Sequence, residues 1–277
     1  MSAELLSSSS ARLEFGDIAA LGGLVGLTVA FTLNTSSSYG GTMMAGQWGS
    51  ASGFRAFLIQ RSINEIGFVV TANGILGPVA FGETTSDSPM STDKLHRIVC
   101  TWNVYPKRIG IWVNGIKSST TNWFSGNPLT LHDTNSEVFL GYEANSGAAN
   151  VNGDYSEFAI WDHEVPDWVA EAYGVGVSPS IYRNGGIVYT KAINTSHLID
   201  EWESNTVTNT SGTTSEHPRM FYQPIRPAIA LAAAPAPPPK VSYSEGVLSI
   251  MVLNGSGVQS EITSDGKGVN STITSVN

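Results

Sequence analysis

The sequence predicts an antiparallel β-sandwich with one short helix, and three features carry that prediction. Apolar residues recur at every second position in run after run, the runs are spaced by about 8 to 15 residues, and Gly, Asn, Pro and Ser fill the gaps. Taken in order, the predicted strands are TVAFTL (28–33), FRAFLIQ (54–60), EIGFVVT (65–71), RIVCTWNV (97–104), RIGIWV (108–113), SEVFLGY (136–142) and YSEFAIW (155–161). Asn114-Gly115 after RIGIWV is a two-residue hairpin signal, because both central positions of a type I′ turn need positive φ. The helix is placed by Pro166 at its first position, with Trp168, Val169, Ala172 and Tyr173 on one face and Gly174 as its stop.

Beyond residue 176 the texture changes. IVYT (187–190) and HLIDEW (197–202) stand in polar sequence and read as a lateral extension of the same domain. QPIRPAIALAAAPAPPPK (223–240) concentrates Pro and Ala and predicts a semi-rigid, extended linker. The tail that follows holds two alternating segments, VLSIMVL (247–253) and VNSTITSV (269–276), and is too small to bury a core alone. The expected organisation is thus an N-terminal arm (1–10), a sandwich (11–175), an extension packed on it (176–222), a Pro/Ala linker (223–240) and a β-rich anchoring or oligomerisation segment (241–277).

Composition narrows the function classes. Lys and Arg number 14 against 23 Asp and Glu, a net charge of −9, and only 13 % of residues are charged, against roughly 25 % in an average soluble domain. A chain so poor in clustered Lys and Arg is not suited to neutralise a phosphate backbone, so nucleic acid is not an expected partner. The most apolar run, Ile18 to Leu33, is short and interrupted by Gly22, Gly23 and Gly26, so two buried strands explain it better than a membrane span. MSAELLSSSS lacks a basic n-region and an apolar h-region, so no secretory leader is expected and synthesis is assigned to the cytoplasm. A lone cysteine, Cys100, leaves the fold to its core and hydrogen bonds.

The stretch LHRIVCTWNVYPKRIGIWVNGIK (95–117) resembles the signature hairpin of the concanavalin A-like jelly-roll superfamily, in its laminin-G and pentraxin branch. VFLGY (138–142) and GDYSEFAIWDHEVPDWVAEAYG (153–174) are similar to the later strands and closing helix of that family, and residues 11–33 to its first two strands. The resemblance implies an all-β, concanavalin A-like sandwich over roughly residues 11–175. Fold alone does not decide function, since this superfold hosts lectins, adhesion modules, hydrolases and structural proteins. SPSIYRNGGIVYT (178–190) and SGTTSEHPRMFYQP (211–224) resemble the downstream extension of laminin-G-like proteins encoded by tailed bacteriophages. That resemblance implies a virion surface location, as a head decoration protein or tail-fibre component, with other virion proteins or sister copies as partners of the C-terminal segment. The rival expectations are a free carbohydrate-binding module and, third, a glycoside hydrolase.

Glucanases of this superfold carry a Glu-x-Asp-x-x-Glu strand, and the corresponding positions here are Asn152, Asp154 and Glu157. An amide at the first position cannot form the glycosyl ester that a retaining mechanism requires, so no catalytic residue is assigned. No cofactor is expected. The resemblance makes calcium at the sandwich rim the one metal to consider, with Asp154, Asn152 and Asn150 as its candidate ligands and Asp133 with Asn135 second. His96, His132, His163, His197 and His217 show no ligand spacing, and His96 is expected to be structural. Trp102, Trp112, Trp161 and Trp168 are expected in the core. Trp48 and Trp123 lie in segments that read as loops or strand ends and are the candidates for stacking on a glycan.

Overall fold

The computed structural model describes residues 2–5, 12–35, 42–49, 53–62, 65–75, 79–84, 90–91, 94–105, 107–118, 120–125, 130–141, 153–191, 200–203, 205–210, 213–215, 240–244, 247–253, 258–264 and 269–275. The chain divides into two compact units, Met1–Pro224 and Ile225–Asn277.

The first unit is built on two antiparallel sheets. In the first sheet the order is β10 (Ile116–Lys117), β9 (Arg108–Val113), β8 (Lys94–Asn103), β3 (Gly26–Thr35), β13 (Gly153–Trp161), β1 (Ser2–Leu5) and β16 (Thr213–Ser215), with β14 (Gly186–Thr190) also paired to β13. In the second sheet the order is β11 (Thr120–Ser125), β7 (Val79–Thr84), β6 (Glu65–Thr71), β5 (Arg55–Ser62), β4 (Thr42–Trp48), β12 (Val138–Gly141), β2 (Arg12–Glu14) and β15 (Thr208–Thr210). Non-sequential neighbours such as β3 beside β13 and β4 beside β12 are the crossovers of a jelly roll. Among the described residues no helix is long and apolar enough to cross a membrane.

Strand alternation distributes the apolar residues over three clusters. Phe57, Ile59, Phe68, Val70, Val138 and Leu140 of the second sheet meet Phe31, Ile98, Cys100, Trp102, Ile111 and Phe158 of the first in the main core. Their alternate neighbours face outward. Val99, Trp112, Ala159 and Trp161 form a second cluster with residues of the helix and extension. Leu58, Val69, Phe139 and Trp48 form a third, smaller one. Strands with apolar partners on both faces lose the polar half of the alternation, which is why RIVCTW and EFAIW read as nearly continuous apolar runs. Burial pushes the Cys100 thiol well up from its ordinary value, leaving it an inert core group.

The hairpin forms as expected. Asn114 and Gly115 have φ of 53° and 79°, and Val113 pairs with Ile116 across the turn. The helix, α1 (Asp167–Gly174), differs by one position at each end: Pro166 is its N-cap and Gly174 belongs to its last turn. Gly174 serves close approach, because a Cβ there would overlap the backbone of Gly115, so the helix end and the hairpin turn touch through two glycines. His96 is buried, donates from Nε2 to the Ser91 carbonyl at 2.9 Å and accepts from Asn114 Nδ2 at 3.5 Å, the structural role expected.

Strands β4, β7 and β11 were not legible as strands. Gly46 and Gln47 interrupt the apolar period of TMMAGQW, and Gln47 is nonetheless an inward, buried residue whose Nε2 donates to the carbonyls of Thr134 and Ser136 at 3.4 and 3.0 Å. TTNWFS forms β11 at the edge of the second sheet, so Trp123 stands mid-strand opposite Phe81 and not in a loop. An edge strand paired on one side needs no strict alternation, which hid it. The second unit is a four-stranded meander of β17 (Lys240–Ser244), β18 (Val247–Leu253), β19 (Val258–Ser264) and β20 (Val269–Ser275).

Candidate functional site

A pocket opens where the β4–β5 turn meets the irregular segment 130–137 that leads into β12. The segment is held in place by its backbone: Leu131 N donates to Leu24 O at 2.7 Å, and His132 N to Thr71 O at 2.9 Å. The turn is tied to the segment by side chains. Ser136 Oγ donates to Phe54 O at 2.9 Å and His132 Nε2 donates to Gly53 O at 3.0 Å. Gly49 is required here, since a Cβ would lie 2.7 Å from that of Phe54 and push the turn open. Arg55 donates from Nε to Gly49 O at 3.2 Å and carries its guanidinium 5.4 Å from the centre of the Trp48 ring.

The pocket so formed has a volume of about 370 Å³ and is lined by Arg12, Trp48, Phe54, Asn135, Ser136, Glu137 and Phe139. Trp48 and Phe139 are buried among its walls, whereas Phe54 is 44 % exposed at its rim. Arg12 is ion-paired to Glu14 and lies 3.5 Å from Glu137, and its Nε has no acceptor among the described residues. Aromatic rings, one ion pair, an amide and a hydroxyl can bind a polar ring compound. Glycoside hydrolysis needs two carboxyl groups flanking the scissile bond, and Glu137 is the one carboxylate among the residues lining this pocket.

The structure separates the sequence candidates. Trp48 lines the pocket at the end of β4, and Asn135 reaches the same pocket. Trp123 belongs to the opposite edge of the second sheet, and its side chain lies outside the described residues. Asp154 accepts from Asn34 Nδ2 at 3.3 Å on β13, while Asn150 and Asn152 lie outside the described residues. Asp133 sits against Gly22 and raises the Asp17 carboxyl above its ordinary value, after desolvation as the larger cause. Among the described residues no group of three His, Cys, Asp or Glu could hold a metal ion. Phe54, Arg12 and Glu137 were missed. Arg-x-Glu at 12–14 and an exposed Phe after a Gly-Ser-rich turn carry no signal until the strands bring them together.

Glu157, the carboxylate at the acid/base position of the glucanase-like strand, is fully buried on the other sheet. It sits at a bulge of β13 with φ of 54° and accepts from Ser178 Oγ and Tyr189 OH, both at 2.8 Å. Both hydroxyls come from the extension, which covers this face; Glu157 is a structural clamp out of reach of any substrate.

Two crossed-over antiparallel sheets, closed by one helix and bearing a ring-lined pocket at the rim, define a lectin-like jelly-roll domain. Residues 7–167 match the family model described as the Concanavalin A-like lectin/glucanases superfamily. That match takes in more than half of the chain, and the protein belongs to this superfamily. Among solved structures, a Bacteroides ovatus protein assigned to carbohydrate binding is similar at 17 % identity and a TM-score of 0.57, over 77 % of this chain and 60 % of that one. The chain therefore spans less than two thirds of that protein's length. A heptameric SAP-like pentraxin of Limulus polyphemus is similar at 12 % identity and a TM-score of 0.53, over 78 % of this chain and 95 % of the pentraxin. At these identities both likenesses are of fold. No curated protein matched the chain.

Proposed function

We propose that this protein is a glycan-binding surface protein, a lectin-like module without hydrolase activity. The observation that carries this reading is the pocket, in which a buried Trp48 and a rim Phe54 flank the Arg12 and Glu137 pair. Binding without hydrolysis is supported by the burial of Glu157 and by an amide at position 152. Calcium stays a secondary element of the proposal, confined to Asp154 with Asn150 and Asn152. The test is retention of the full chain on immobilised glycans, with loss on Phe54→Ala; a chain that binds no glycan refutes it.

The location proposed is the virion of a tailed bacteriophage, with the sandwich displayed and residues 241–277 anchoring it to other virion proteins or to sister copies. The observation favouring an anchor is the second unit's register, which sets Val241 opposite Ile250 and Ile250 opposite Ile262 across three strands. Such an apolar row on a small meander needs a covering surface. Mass spectrometry of purified particles should find the protein at high copy; its absence from particles would leave the free binding module.

A further inference from the structure

We infer that the rim pocket takes an uncharged pyranose residue and turns away acidic sugars, an inference that rests on the glycan-binding reading. Charge decides the class. Among the described residues Arg12 is the one cation lining the pocket, and it already serves two carboxylates, those of Glu14 and Glu137. An anionic sugar would have to displace one of them and then face both, in a partly dry site where like charges repel more strongly than in water. A neutral ring has the opposite match. Its hydroxyls can donate to Glu137, which is 54 % exposed, and accept from the Arg12 guanidinium that lies 3.5 Å from it. Adjacent hydroxyls suit a guanidinium and a carboxylate that lie 3.5 Å apart.

The rings set the orientation. Phe54, 44 % exposed at the rim, offers a π-face to the C–H side of a sugar, while Trp48, buried under the Arg55 guanidinium, forms part of the wall, leaving the hydroxyl edge of the sugar toward Arg12 and Glu137. Size sets the number of units. A volume of about 370 Å³ stands at the low end of the roughly 300–1,000 Å³ of small-molecule sites, which fits one or two rings and not an extended chain.

The experiment is calorimetry of the full chain with neutral hexoses and N-acetylhexosamines beside glucuronate and sialic acid, repeated on Phe54→Ala and Glu137→Gln. The expected result is binding of at least one neutral sugar and tenfold or weaker binding of the acidic ones. Phe54→Ala should weaken neutral binding tenfold or more. Glu137→Gln should weaken the neutral sugar while improving the acidic one, a reversal that loss of folding could not produce. Tighter binding of the acidic sugars by the unaltered chain overturns the inference and leaves glycan binding standing. Binding of neutral sugars unaffected by both variants also overturns it, because the site then lies elsewhere. No binding of any sugar overturns both readings.

Discussion

The two outer faces of the sandwich are made by the same alternation of strands and end in opposite ways. On the first sheet, Trp112, Trp161 and Ala159, with Tyr189 of the adjoining β14, are covered by α1 and by Trp202 of the extension. Trp161 donates from Nε1 to Tyr182 O at 2.8 Å and meets the Trp202 ring edge-on with centroids 5.4 Å apart. On the second sheet the outward cluster is four buried residues, and its Trp48 and Phe139 edge opens into the rim pocket. The lesson is that outward tryptophans on one fold divide by what covers them. A face given a helix and an extension becomes core, and a face met by two loops keeps a site.

Variants can sharpen that contrast, beginning with the largest effect. Trp161→Ala removes a buried indole with its hydrogen bond and should cost about 3–5 kcal/mol. Denaturant unfolding should show it, with sugar binding by the remaining folded fraction unchanged. Equal losses of stability from Trp161→Ala and Phe54→Ala would erase the distinction between the faces.

Gly115→Val comes next. It forces a β-branched residue to a φ of 79° and places its Cβ 2.8 Å from Glu171 O, at the contact between hairpin and helix. Strain alone is about 1–3 kcal/mol, and the melting temperature should fall accordingly; an unchanged value would mean that this contact does not hold α1 on its sheet.

Glu157→Gln replaces one carboxyl oxygen by an amide NH2 beside the hydroxyls of Ser178 and Tyr189 and should cost about 1–2 kcal/mol. Glycan binding should be unaffected, since the clamp and the pocket are on different sheets. A loss of binding at full stability would connect the two faces.

His96, in the interior, gives a pH effect. Desolvation, as the first cause, holds its pKa below 6.5 in the folded protein, with nearby Arg61 and Lys94 charges acting in the same sense and the Ser91 bond opposing. The unfolded chain therefore binds the proton more readily, and stability is retained above about pH 6.5 and lost as pH falls through the lower folded value. His96→Gln should flatten that slope in unfolding free energy measured between pH 7 and 5. The smallest stability effect belongs to Phe54→Ala, within about 0.5 kcal/mol, although it should abolish most sugar binding.

Much of this was legible beforehand because it is local. The period-2 runs placed seven strands, Asn114-Gly115 placed the hairpin, and Pro166 with its apolar face placed the helix to within one residue. Strands β4 and β11 escaped because an inward Gln47 and an edge position break the pattern on which such reading depends. Trp48 was found as a candidate by the loop-like texture beside it. The same texture beside Trp123 hid an edge strand.

The sequence by itself determined an antiparallel sandwich with its turn and helix, since propensity and period are properties of neighbouring residues. Only the tertiary structure decided which outward faces are covered, that Glu157 is a clamp and not an acid, and that Arg12, Phe54 and Glu137 share one pocket with Trp48. Those residues stand up to 125 positions apart in the chain, from 12 to 137. No local pattern encodes a contact made by the register of β2, β12 and β4, because register is settled by the summed burial of whole strands.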